Sequence, residues 1–247
     1  MQRYFLELAY KGTAYSGFQI QDTGITIQSE LTDALQTIFR TDFQLTGSSR
    51  TDAGVHAEQN YFHFDTDLAF TDKQVYNLNA VLSKDIAVKK VSKVNIDAHC
   101  RFDAISRTYR YSILRSKDPF LTETAWLYPF SINKEALDEA ADIIKGYTDF
   151  TSFSKRNTQV KTFNCSIELS QWVERDGLLL YEVRSNRFLR GMIRGLVATM
   201  LKVARGTISF NDLRNILEAK DCSKADFSAP AQGLCLINVL FPDSIFK

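Results

Sequence analysis

Tyr4-Phe5-Leu6-Glu7-Leu8-Ala9-Tyr10 places Tyr4, Leu6, Leu8 and Tyr10 on one face and their neighbours on the other, the period of a half-buried strand. Downstream, Thr26 stands where it can cap a helix that carries Ile27, Leu31, Leu35 and Ile38 along one side. Phe43-Gln44-Leu45 reads as a short strand and Asn60 to Asp65 as another. A helix over Lys73 to Leu82 and a strand over Ile86 to Val94 follow. The order β-α-β-β-α-β is the split βαβ unit of ferredoxin-like folds.

The chain then repeats this order without a recognisable sequence repeat. Arg107 to Leu114 alternates as a strand, and Asn133 caps a helix that Gly146 ends. Strands follow over Phe163 to Val173 and Leu178 to Arg184, with Arg175-Asp176-Gly177 as the turn. Helices over Phe188 to Ala204 and Asn211 to Ala219 precede a closing strand at Leu234 to Leu240. The expected fold class is α+β: two fused ferredoxin-like (βαββαβ) halves forming a continuous, mainly antiparallel sheet with helices on one face. Residues 1–105 form the N-terminal half and 106–247 the C-terminal half. No linker rich in Pro, Gly or Ser separates them.

A chain of 247 residues with 45% hydrophobic and 24% charged residues can bury a large core without metal or disulfide staples. No apolar run approaches the roughly 20 residues of a membrane span. Glu7 interrupts the opening apolar stretch, so no secretory signal is read there. Cys100, Cys165, Cys222 and Cys235 form no Cys-x-x-Cys pair and read as reduced thiols of a cytoplasmic protein. With only three dispersed histidines besides, no metal site is expected.

Net charge is only +1, so bulk coating of a polyanion is excluded and the placement of charge matters more than its sum. Arg184, Arg187, Arg190, Arg194, Lys202 and Arg205 occur between Arg184 and Asn211 with no acid among them. Arg101, Arg107, Arg110, Arg115 and Lys117 enclose only Asp103. The two clusters read either as solvated faces or as a defined groove for an anion. On the helix read here, Arg187, Arg190 and Arg194 are spaced by three and four and share a face suited to phosphates, beside a core row of Phe188, Met192, Leu196 and Met200.

The densest chemical segment is Gly47-Ser48-Ser49-Arg50-Thr51-Asp52-Ala53-Gly54-Val55-His56-Ala57, a loop of small and turn-forming residues between expected strands. Arg50, or an arginine distant in sequence, could keep Asp52 ionised and so a usable nucleophile. Equally, an Asp in such a loop can be only a turn or cap. Tyr109 offers a flat face and a hydroxyl, yet shares a strand face with Tyr111 and reads equally as core. His63, mid-strand, reads as packed, and His56 as a residue that orients the loop.

Arg50-Thr51-Asp52-Ala53-Gly54-Val55-His56 resembles the signature of the tRNA pseudouridine synthase A family, nucleophilic aspartate included. Further stretches are similar to that family: Gly17-Phe18-Gln19, His63-Phe64, Asn79 before Leu82, and His99-x-Arg101-Phe102 leading into Arg107-Thr108-Tyr109-Arg110-Tyr111. Asp149-Phe150-Thr151-Ser152-Phe153 and Phe188-Leu189 with Met192 and Arg194 complete the set. The resemblance implies isomerisation of uridines 38 to 40 of the tRNA anticodon stem-loop by a homodimer without a cofactor. It assigns the nucleophile to Asp52, its ion-pair partner to Arg194 with Arg50 as the alternative, and packing on the target base to Tyr109. Phosphate contacts fall to Arg187 and Arg190, and His56 lies within the signature. Departures from the family pattern are Ser49 for Gly, Phe18 for Trp, Ser83 for Pro and Gln59-Asn60 for Gly-Gln. Gly191, Gly195 and Ala198 alter the helix.

Two other readings stand beside this one. A non-catalytic RNA-binding protein could use the same sheet. Tyr61-Phe62-His63-Phe64-Asp65-Thr66-Asp67 also resembles the Asp-x-Asp strand of Mg-dependent phosphotransferases of the haloacid dehalogenase group. Ala69 stands where that group needs Thr or Val, and the antiparallel order expected here disfavours its parallel sheet.

Overall fold

The computed structural model describes residues 1–156 and 160–246. These residues form a mixed α/β protein with nine strands, paired mostly antiparallel, and five α-helices. They fall into two compact units: Met1–Ser106 together with the chain from Cys235 on, and Arg107–Leu234.

In the first unit, β1 (Gln2–Tyr10) lies antiparallel to β3 (His56–Thr66) and to β4 (Ile86–Lys93). The alternation of β1 has the expected consequence on one face. Tyr4, Leu6, Leu8 and Tyr10 are buried there with Phe62 and Phe64, and the rings of Phe18, Phe43 and Phe70 pack on this face; Leu31 and Leu35 of α1 (Ile27–Phe39) are buried as well. The opposite face is also covered: Phe5 and Tyr61 pack on Phe241, and Phe5 on Phe246. Thr26 caps α1 as expected, accepting from Ser29 N–H at 3.1 Å, while Ser29 Oγ accepts from Thr26 N–H at 3.0 Å.

The second helix, α2 (Asp72–Val81), returns to β4 through Asn79. Its side chain donates to Val88 O at 2.8 Å and accepts from Val88 N–H at 2.7 Å, stitching β4 where its register with β1 shifts. The strand expected at Phe43–Leu45 lies instead at β2 (Thr46–Gly47), paired with His63 and Phe62 of β3. Phe43 is spent on the core, its ring against Phe39, Phe64 and Phe70.

The closing strand β9 (Leu234–Leu240) differs from expectation in its company. Residues 106–247 are expected to form one half, yet β9 pairs parallel with β3 through His56↔Cys235 and Ala57↔Leu236. Val239 N–H donates to Gln59 Oε1 at 2.9 Å, and Ile105 N–H to Leu240 O at 2.8 Å. Strand periodicity tells which face a residue takes, and carries no information on which strand is the neighbour.

The second unit pairs β5 (Ser106–Leu114) with β8 (Leu178–Ser185) and β8 with β7 (Ile167–Arg175), all antiparallel; a short β6 (Trp126–Leu127) runs parallel to β5. Asp176 at φ 53° and Gly177 at φ 75° make the tight β7–β8 turn. Packed here are α3 (Lys134–Lys145), capped by Asn133 as expected, α4 (Met192–Ala204) and α5 (Phe210–Glu218). Nearly every residue of α4 is buried, and Gly195 has only 3.0–3.2 Å between a built Cβ and the rings of Phe227 and Phe153. A larger side chain there would push those rings off the helix.

His63 is packed, as expected: Nδ1 lies 3.2 Å from Cys100 Sγ and the ring stands edge-on to His99 at 4.6 Å. Burial first, and the nearby His99 and Arg3 second, lower its pKa from 6.5 to about 4. The unfolded chain therefore takes up a proton near pH 6.5 that the folded chain refuses until about pH 4. Stability contributed by neutral His63 is full above that window and is lost as pH falls through it. Denaturant titrations of wild type and His63→Gln from pH 7 to 4 should show a shallower loss in the variant; equal slopes would remove His63 from this role.

Candidate active site

The loop from Ser48 to Val55 leaves β2 and enters β3, and its backbone is held on three sides. At the sheet, Ser48 N–H donates to Tyr61 O at 2.8 Å. Asn60, fully buried in β3, clamps the next residue in both directions: its amide accepts from Ser49 N–H at 3.3 Å and donates to Ser49 O at 2.8 Å. On the second side, Phe18 N–H donates to Thr51 O at 3.1 Å. Gly17 makes this approach possible: at φ 108° a Cβ would stand 3.1 Å from Thr51 O. On the third, Gly12 touches Val55 so closely that a Cβ would lie 2.0 Å from its carbonyl oxygen. Gly12 N–H donates to His56 Nδ1 at 3.0 Å, so the ring accepts there and a neutral His56 carries its proton on Nε2. Val55 N–H turns back to Asp52 O at 3.1 Å.

The result is an alternation in exposure. Ser49 and Thr51 are buried, Arg50 is exposed and Asp52 is half-buried. The loop therefore pins its small residues and presents its charged ones. Among the described residues no ion pair joins Arg50 to Asp52, although the two are close in sequence. The hydroxyls of Ser48 and Ser49 are buried and find no hydrogen-bond partner among the described residues.

Several family departures have compensating contacts. Phe18 is buried, and its ring stacks on Phe62 at 4.4 Å over Gly47, where a Cβ would be 2.3 Å from the ring. Ser83 Oγ bonds Tyr15 Oη at 2.6 Å. Gln59 holds β9, and Asn60 holds the loop.

In the second unit, Tyr109 is buried on β5 with its ring edge-on to Phe188 at 5.2 Å. Tyr111 is core: its hydroxyl donates to Pro230 O at 2.7 Å, its ring lies on Gly233, and burial raises its pKa. The helix expected from Phe188 begins at Met192, because Gly191 takes a left-handed φ of 76° and breaks the run. Arg187 and Arg190 therefore sit on the connection after β8, and only Arg194 is helical, so the three share no helix face. Arg194, in the first turn of α4, donates from Nε to Ala229 O at 2.6 Å. Arg187 is half-buried and Arg190 exposed, with Arg190 O accepting from Lys155 N–H at 3.0 Å.

The Asp-x-Asp reading loses its chemistry. Arg3 holds Asp65 with two bonds of 2.7 and 2.6 Å and keeps its carboxyl below the usual range, and the strand carrying it runs antiparallel to β1. Among the described residues no cluster of His, Cys, Asp and Glu could hold a metal ion.

A sequence profile of the family described as tRNA pseudouridine synthase matches residues 8–103 and 140–242. The chain is 44% identical to the tRNA pseudouridine synthase A of Bacteroides fragilis, over all of this chain and 99% of that protein. It is 43% identical to that of Parabacteroides distasonis, over all of this chain and 98% of the other. Identity to the Staphylococcus aureus protein of the same name is 36%, covering 98% and 93% of the two chains.

Proposed function

The chain belongs to the tRNA pseudouridine synthase family, and we propose that it isomerises uridines 38 to 40 of the anticodon stem-loop with Asp52 as nucleophile. The observation that carries the reading is the anchored loop: Thr51 and Val55 are fixed by backbone contacts while Asp52 between them stays half-buried. A carboxylate on such a loop is presented without being free to wander, which a retained, rotating base requires.

In the isomerisation the N1–C1′ bond breaks and a C5–C1′ bond forms. The hydrogen on C5 is lost and N1 gains one, so the reaction needs no redox partner or group donor. Asp52 can act by attack at C1′, by attack at C6 or by starting elimination at C2′; each needs the carboxylate ionised. The family resemblance gives the role of its cationic partner to Arg194. Extruding the base from the stem costs a few kcal/mol, and stacking on an aromatic ring such as Tyr109 offsets about 1–3 kcal/mol of it. Arg187 and Arg190 supply phosphate contacts, which position RNA without reading its sequence. His56, with Nδ1 committed to Gly12, keeps the loop in register. The working enzyme on this reading is a cytoplasmic homodimer. No helix among the described residues is long and apolar enough to cross a membrane.

Carbodiimide labelling and reverse transcription of an unmodified tRNA transcript after incubation with the protein test the site assignment. Stops at uridines 38 to 40 are expected; stops confined to other positions would contradict it. Arg190→Ala is expected to weaken tRNA binding and reduce the slope of log K against log salt by about one. An unchanged slope would place Arg190 outside the phosphate contacts.

A further inference from the structure

Asn60 is completely buried between β1 and the loop, and its amide is saturated. Oδ1 accepts from Ser49 N–H at 3.3 Å and Tyr61 N–H at 2.9 Å, while Nδ2 donates to Ser49 O at 2.8 Å and Tyr10 Oη at 3.0 Å. Tyr10 passes the contact on. Its hydroxyl lies 2.8 Å from Thr51 Oγ1, both groups buried. The chain of bonds thus runs from β3 through the end of β1 to the side chain next to Asp52. Thr51 is held at its carbonyl by Phe18 N–H as well, so its side chain and its main chain are both anchored.

We propose that Tyr10 and Asn60 are positioning residues for the reaction, acting through Thr51 on the direction of the Asp52 carboxylate. The inference rests on the reading of Asp52 as nucleophile. Three observations separate it from simple core packing. First, the network ends on the loop at two points, the bond from Nδ2 to Ser49 O and the bond between the Tyr10 hydroxyl and Thr51 Oγ1. Second, the Tyr10 ring is already placed by packing: it lies 6.0 Å from the Phe18 ring at 30°, in the face that holds Leu6 and Leu8. The hydroxyl is not needed to seat it. Third, the main chain is anchored on both sides of the Asp52 side chain, Thr51 O by Phe18 N–H at 3.1 Å and Asp52 O by Val55 N–H at 3.1 Å, so the direction in which Asp52 leaves the backbone follows from how Thr51 is held. Buried polar chains of this kind hold one geometry because each member left without its partner is costly.

The test is Tyr10→Phe, which removes one oxygen from a ring that packing keeps in place. Pseudouridine formation is measured well below the thermal midpoint, with Thr51→Val, the double variant and Asp52→Asn in parallel. Small misplacements of reacting groups cost on the order of 100-fold, so the expected result for Tyr10→Phe is a fall in kcat of roughly 10- to 100-fold. KM for tRNA should be unchanged, since the loop's direction and not RNA affinity is altered. Thr51→Val should fall similarly, and the double variant no further, because both substitutions cut one link. Unchanged kcat for Tyr10→Phe, beside an inactive Asp52→Asn, would overturn the positioning role and leave the nucleophile reading standing. A fall in kcat that multiplies in the double variant would also overturn it, since the two groups would then act separately. Turnover by Asp52→Asn would overturn the nucleophile reading and, with it, this one.

Discussion

A loop between two strands exposes its backbone N–H and C=O groups, and each one that is buried must find a partner. That constraint governs the segment from Ser48 to His56. Two neighbours meet it, β3 through Tyr61 and Asn60 and the turn at Gly17-Phe18, while a third, the turn at Gly12, packs against Val55 and donates to the His56 ring. Two of the three depend on glycine, since a Cβ at Gly12 or Gly17 would collide with or crowd a loop carbonyl. The loop is therefore part of the sheet's packing, although it carries no regular structure. Function placed there inherits the stiffness of the core beneath it.

The rest of the first unit serves this arrangement. β1 must deliver Leu6 and Leu8 to the core and Tyr10 to the loop, and its strict alternation does both. Phe18 stacks on Phe62 over Gly47, and its N–H holds Thr51 O. In the second unit the near-complete burial of α4 does comparable work: it fixes the first turn, where Arg194 leans on Ala229 O.

Much of this was legible in the sequence where local chemistry decides. Thr26 and Asn133 cap their helices because a side-chain oxygen satisfies N-terminal amides. Asp176-Gly177 turns its hairpin because both positions need positive φ. The Arg50–His56 segment stood out by composition. What escaped depended on partners far away in sequence. Phe188 to Gly191 has an apolar and basic spacing that fits a helix, and one left-handed glycine cancels it. Phe43 has strand character and is taken by an aromatic cluster instead. Asn60 looked like a mere departure from a family pattern; its four hydrogen bonds are invisible until β3 is paired with β1 and the loop. A buried Asn within an apolar strand was the available signal, because such a side chain has to be satisfied by something.

On the proposed reading, Asp52 performs the chemistry of a uridine isomerase from a loop held by buried backbone contacts. The most direct test of that reading uses tRNA carrying tritium on C5 of uridine, since forming the C5–C1′ bond expels that hydrogen into water. Wild type should release tritium, and Asp52→Asn should bind the same tRNA with the same affinity and release none. Release by Asp52→Asn at the wild-type rate would contradict the account.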